Sequence, residues 1–156
     1  MDAITLLRQD HKTVEGVFKK FEKAGGGAKK TQKNLADKMI EELSIHAAIE
    51  EEVFYPAVRA ALEDEEDTIL EAYEEHHVVK FLLSEIEVMD PEDERFKAKV
   101  TVLIESVRHH VEEEEKELFP EVRKALGRKR LGEIGDQMEE AKKTAPTRPV
   151  EASSKI

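Results

Sequence analysis

The phrase HAAIEEEVFYPAVRAAL, residues 46–62, returns 64 residues later as HVEEEEKELFPEVRKAL, residues 110–126. Eight of the 17 aligned positions are identical: His, Glu, Glu, Pro, Val, Arg, Ala and Leu. Apolar residues three and four apart make each phrase one face of a helix. The stretches ahead of them, DHKTVEGVFKKF and EHHVVKFLLSEI, match more loosely. A fold of two related helical hairpins about an approximate twofold axis follows, and such an axis is a natural place for a pair of similar sites.

Breakers mark the hairpins. AGGGAKKT (24–31) ends a first helix, EDEED (63–67) separates a second from a third, and MDPED (89–93) precedes a fourth. Asp90 before Pro91 reads as an N-cap with proline at the first helical position. Gly127 closes the fourth helix, RKRLGEIGDQMEEAKK (128–143) reads as a short, weaker fifth, and two prolines among small polar residues from Thr144 onward predict a mobile tail. The expectation is an all-α, up-down-up-down antiparallel four-helix bundle over residues 1–127, with a short C-terminal helix and flexible tail over 128–156.

A bundle helix keeps its core-facing stripe apolar. The first reads Ile4, Leu7, His11, Val14, Phe18, Phe21, and the third Ile69, Ala72, His76, Val79, Leu83, Ile86. The second reads Met39, Leu43, His46, Glu50, Val53, and the fourth Phe96, Val100, Leu103, Val107, His110, Glu114, Leu118. Each stripe is interrupted where it should be apolar. A lone histidine on an apolar face is usually a hydrogen-bonded core residue, but four on four helices, joined by two carboxylates, are a donor set. Buried carboxylates are costly without a partner. His and Glu at i and i+4 share one helical face and can chelate from one side. Four imidazoles and two carboxylates suit a dinuclear centre of iron or manganese and accept zinc. The metal-ligating candidates are therefore His11, His46, Glu50, His76, His110 and Glu114. His77 and His109 fall off the stripes and read as peripheral, and Glu51, Glu52, Glu112 and Glu113 as solvated charge.

These residues resemble the hemerythrin-like, or HHE cation-binding, family: DH early in the first helix, HAAIEEEVFYP on the second, EHH on the third and HVEEEEKELFP on the fourth. The likeness covers roughly residues 3–126. It implies two non-haem iron ions joined by an oxo or hydroxo bridge, held by the six residues named above. It also implies a small diatomic or peroxide ligand: O2, hydrogen peroxide or nitric oxide. Catalase-like peroxide disproportionation is one implied outcome, and an oxygen- or iron-responsive sensor without turnover is the alternative. One departure stands out. Oxygen carriers of the family supply a further histidine one turn after the third-helix ligand, where this chain has Lys80. Tyr55, beside Pro56, is a candidate substitute, although an ideal helix places it half a turn away from His46.

Composition bounds the partners. A formal charge of −11 disfavours nucleic acid and anionic membranes. The chain has no cysteine, which excludes disulfides and thiolate ligands. Its start lacks the basic and apolar regions of a signal peptide, and no apolar run approaches the ~20 residues of a membrane span. A cytoplasmic monomer is the expectation.

Overall fold

The computed structural model describes residues 1–149, and every regular element among them is helical. The order is α1 (Ala3–Lys23), α2 (Lys29–Ile49), a π-turn (Glu50–Phe54), α3 (Tyr55–Ala61), a 3-10 turn (Glu63–Glu65), α4 (Glu66–Val88), α5 (Phe96–Glu113), a second π-turn (Glu114–Leu118) and α6 (Phe119–Lys142). α2 and α3 are one bundle helix joined through the first π-turn, and α5 continues into α6 through the second. The antiparallel four-helix plan is thus present. No helix among the described residues is long and apolar enough to cross a membrane.

The N-terminus of α1 is capped as its sequence dictates, with Asp2 accepting from the Thr5 amide at 2.8 Å. Asp90 behaves differently from its expected role. It accepts from the Glu92 amide at 2.8 Å, Asp93 accepts from the Arg95 amide at 2.8 Å, and α5 begins only at Phe96. These local side-chain turns compete with helix formation and delay the helix start.

Two apolar clusters fill the bundle. One gathers Ile4, Leu7, Phe54, Tyr55, Ile69, Leu118 and Phe119, and the other Val14, Phe18, Phe21, Leu43, Leu83, Phe96, Val100 and Leu103. The interrupting polar residues of each stripe lie between them. On the surface, Arg108 of α5 spans both Glu15 and Glu22 of α1 at 2.7 to 2.9 Å while its guanidinium sits 5.7 Å from the Phe18 ring.

Gly127 has φ 75° and ψ 170°, a region essentially reserved for glycine, and turns the chain back on itself inside α6. The segment beyond it is more than an appendage. Leu131, Ile134 and Met138 are fully buried with Ala3, Ile4 and Leu7 of α1. Gly135 permits this approach, since a Cβ there would strike the Met1 carbonyl oxygen and the backbone of Asp2 and Ala3. The mobile tail expected from Thr144 onward falls mainly on residues 150–156, outside the described residues. Within 144–149, Arg148 pairs with Glu87 of α4 at 2.6 Å.

Candidate metal centre

All six stripe exceptions are buried and converge between the two apolar clusters. His11, His46 and Glu114 bring donor atoms within 4.8 Å of one another, as do Glu50, His76 and His110. The imidazoles come in pairs, His11 with His46 at 5.0 Å between centroids and His76 with His110 at 4.9 Å. Each carboxylate reaches both pairs. Glu50 Oε1 lies 3.2 Å from His46 Nε2 and 3.1 Å from His76 Nε2, while Glu114 lies 3.4 Å from His11 Nε2 and 3.3 Å from His110 Nε2.

The donor set fits two cations. His11 Nε2, His46 Nε2, both oxygens of Glu50 and Glu114 Oε1 are buried without any hydrogen-bond partner, a costly state for groups inside a folded core. Cations held by these residues would satisfy them.

The outer nitrogen of every imidazole is held by a carboxylate. His11 Nδ1 meets Glu115 at 2.6 Å, His46 Nδ1 meets Asp10 at 2.9 Å, His76 Nδ1 meets Glu51 at 2.8 Å and His110 Nδ1 meets Glu75 at 2.8 Å. An imidazole donating from Nδ1 keeps Nε2 free to ligate, which is the usual support of a metal-binding histidine. The arrangement obeys the twofold axis: Asp10 and Glu75 directly precede His11 and His76, and Glu51 and Glu115 directly follow Glu50 and Glu114. Assigning Glu51 to solvated charge was therefore incorrect. It is half-buried and also accepts from Lys80 Nζ at 2.8 Å. Both glutamates are identities of the repeat, so the repeat itself carried that signal. His109 is exposed and pairs with Glu113 at 2.9 Å, and His77 is half-buried off the stripe.

Tyr55 is fully buried in the centre, with its hydroxyl 2.5 Å from Glu114 Oε2 and 3.2 Å from both His76 Nε2 and His110 Nε2. The π-turn puts it there. The Tyr55 amide donates to the Glu50 carbonyl, five residues back, next to Pro56, which has no amide to donate. One extra residue in that turn rotates the following face by about 100°. Phe54 is consequently buried where Val53 was expected. The matching π-turn ahead of Pro120 turns Phe119 inward, where its ring stacks on His11 at 6.0 Å.

In the metal-free state protons take the cations' place. Burial opposes a charged His46, but Glu50 and Asp10 outweigh it and push the pKa up to about 10. His110 is likewise held well above its ordinary value, with Glu114 and Glu75 overcoming burial. Burial acts against Glu114 as an anion too, yet His110 and His11 keep it well below the usual carboxylate range. Tyr55 is pushed well above an ordinary phenol by burial and by Glu114 and Glu50, so it remains a donor.

A cavity of about 40 Å³ adjoins all four imidazoles, walled by Val14, Leu43, Ala47, Val79, Val107 and Val111. A surface groove between α1 and α5 shares His11, Val14, Val107 and Val111 with it.

A solved structure shares this architecture, and relatives share its sequence. A hemerythrin HHE cation-binding domain-containing protein from Mycobacterium kansasii superposes with a TM-score of 0.75 at 24% identity, over 92% of this chain and 86% of that one. A DNA nickase of Nostoc is 32% identical over 91% of this chain, which spans only 39% of that protein's length. An uncharacterized hemerythrin-like protein of Schizosaccharomyces pombe is 26% identical over 89% of this chain and 68% of its own. The sequence profile of the hemerythrin HHE cation binding domain matches residues 2–122, and the chain belongs to that family.

Proposed function

We propose that this is a cytoplasmic non-haem di-iron protein that binds or reacts with O2, hydrogen peroxide or nitric oxide in defence against oxidative or nitrosative stress. The observation that carries the reading is the 40 Å³ apolar cavity against four inward-facing imidazoles. It has room for a few heavy atoms, the size of a diatomic or peroxide ligand. The groove between α1 and α5 is the approach.

His11, His46 and Glu114 would hold one iron, and Glu50, His76 and His110 the other. Bound iron would supply redox chemistry and open coordination positions. The chain's own residues do the rest. The four outer carboxylates fix the imidazoles, and the valines exclude bulk water. Tyr55 holds a proton at Glu114 Oε2 and is placed either to donate it or to ligate through its oxygen. Lys80 is committed to Glu51, so the fifth imidazole of oxygen carriers has no equivalent here. That favours reaction over reversible oxygen storage.

The nicking activity of the Nostoc relative is not carried over. A charge of −11 is unfavourable for a polyphosphate partner, and most of that protein lies outside the shared region. The test is to load the protein with iron and follow O2 evolution from peroxide, decay of nitric oxide and the oxygen-binding spectrum. Peroxide or nitric oxide consumption supports the proposal. A stable, reversible oxygen adduct with neither reaction would make it a binding protein without turnover, and iron-loaded protein that neither binds oxygen nor consumes peroxide or nitric oxide would overturn the proposal.

A further inference from the structure

Two lysines extend the hydrogen-bonded shell of the centre, one toward each half. Lys80 Nζ lies 2.8 Å from both oxygens of Glu51, and Glu51 Oε2 also holds His76. Lys142 Nζ lies 2.5 Å from Asp10 Oδ1, and Asp10 Oδ2 holds His46 at 2.9 Å. Among the described residues no lysine pairs with Glu75 or Glu115. The pattern gives each imidazole pair one lysine-carboxylate-imidazole chain, although the lysines are not related by the repeat. Lys80 belongs to α4, beside its own histidine. Lys142 comes from the last turn of α6, beyond the residues 2–122 that carry the family's signature.

We propose that the last helix is a working part of the metal centre: Lys142, acting through Asp10, positions His46 and sets how tightly the His11/His46 half holds its ion. The inference rests on the reading of the sextet as a two-ion site. The physical ground is the geometry of the carboxylate. Asp10 could rotate or turn outward to water if it had only the imidazole to bind. With an ammonium on one oxygen it is fixed, and the other oxygen keeps His46 donating from Nδ1 with Nε2 aimed inward. The packing of Leu131, Ile134 and Met138 against α1 delivers Lys142 to that point. By reciprocity, an ion in that half stabilises the docked last helix.

The experiment uses the full chain, loaded with zinc as a redox-silent probe, in wild-type, Lys142→Met, Lys142→Arg, Lys80→Met and Lys143→Met forms. Release of zinc to a colorimetric chelator is followed in time, with amide hydrogen exchange over residues 131–142 measured with and without zinc. In Lys142→Met, one of the two ions should leave roughly tenfold faster while the other is unchanged, given the usual weight of such outer partners. Lys80→Met should accelerate only one ion, and a variant combining Lys80→Met with Lys142→Met both. Lys142→Arg should retain slow release. Lys143→Met should behave as wild type, because Lys143 pairs with Glu140. Zinc should slow exchange in the last helix of the wild type and not of Lys142→Met, a difference that a merely structural lysine would not produce. Unchanged release in Lys142→Met, or the same acceleration in Lys143→Met, overturns the inference. A wild type that takes fewer than two zinc ions overturns the two-ion reading itself, and this inference with it.

Discussion

The Tyr55 hydroxyl meets Glu114 across the bundle axis at 2.5 Å, although an unbroken α-helix would turn that tyrosine away from the centre. Replacing it with phenylalanine should cost the metal-free protein about 1.5–3 kcal/mol, the usual weight of a hydrogen bond to a charged group. In the ferric protein, a tyrosine ligand would give a phenolate charge-transfer band that vanishes in Tyr55→Phe. Melting curves and visible spectra of both forms decide these points. An unchanged spectrum would assign Tyr55 to hydrogen bonding alone.

Removing an imidazole should lower metal content from about two ions per chain. His46→Ala and His110→Ala each take away one of the imidazoles facing a buried carboxylate, Glu50 or Glu114, a loss of about 3–5 kcal/mol when one partner of a buried charge pair is deleted. Elemental analysis with thermal unfolding measures both effects. Wild-type stoichiometry in the two variants would refute the assignment.

The metal-free protein should be most stable between mildly acidic and neutral pH. His46 has a folded pKa of about 10 against an ordinary 6.5, so its contribution is full below 6.5 and is lost as pH rises through about 10. Glu114 is depressed, so its contribution is present above 4.5 and is lost as pH falls through its lowered value. Bound cations displace the imidazole protons, so loading should release protons and weaken as pH falls. Denaturant midpoints across pH and proton release on zinc addition test this. A metal affinity independent of pH would contradict it.

Metal binds the folded state, so its removal should lower the melting temperature and ferrous iron should restore it. The stripes remain mostly apolar, so the stripped protein should keep its helical circular dichroism. Identical melting of stripped and loaded protein would count against a buried site.

Gly135→Ala should destabilise by about 1–3 kcal/mol, because the added methyl meets backbone that cannot swing aside. Gly132→Ala, three residues earlier, meets nothing within 4 Å and should be neutral or slightly stabilising. Chemical unfolding of the pair separates tight packing from helix propensity.

The sextet could be picked out in the sequence because each member interrupts an apolar stripe, and interruptions on four helices have few innocent explanations. Tyr55 was harder. Its inward turn depends on one amide bonding five residues back, a backbone choice that a wheel of fixed pitch cannot represent. The outer carboxylates were hidden for another reason. Glu51 and Glu115 sit in runs of glutamate whose charge density suggests a solvated face, and in the sequence only their identity in the repeat sets them apart. Asp10 and Glu75, each directly before a histidine, left a trace that the looser match of the first and third helices obscured. The packing of the last helix had no sequence sign beyond its own modest periodicity, since its partners lie at the opposite end of the chain.

That last separation has a consequence for biosynthesis. During synthesis Ile4 and Leu7 emerge from the ribosome well before some of the side chains that bury them, Leu131, Ile134 and Met138. Local helices can form early, but one end of the core stays exposed until nearly the whole domain has been translated, a vulnerable interval for a nascent chain.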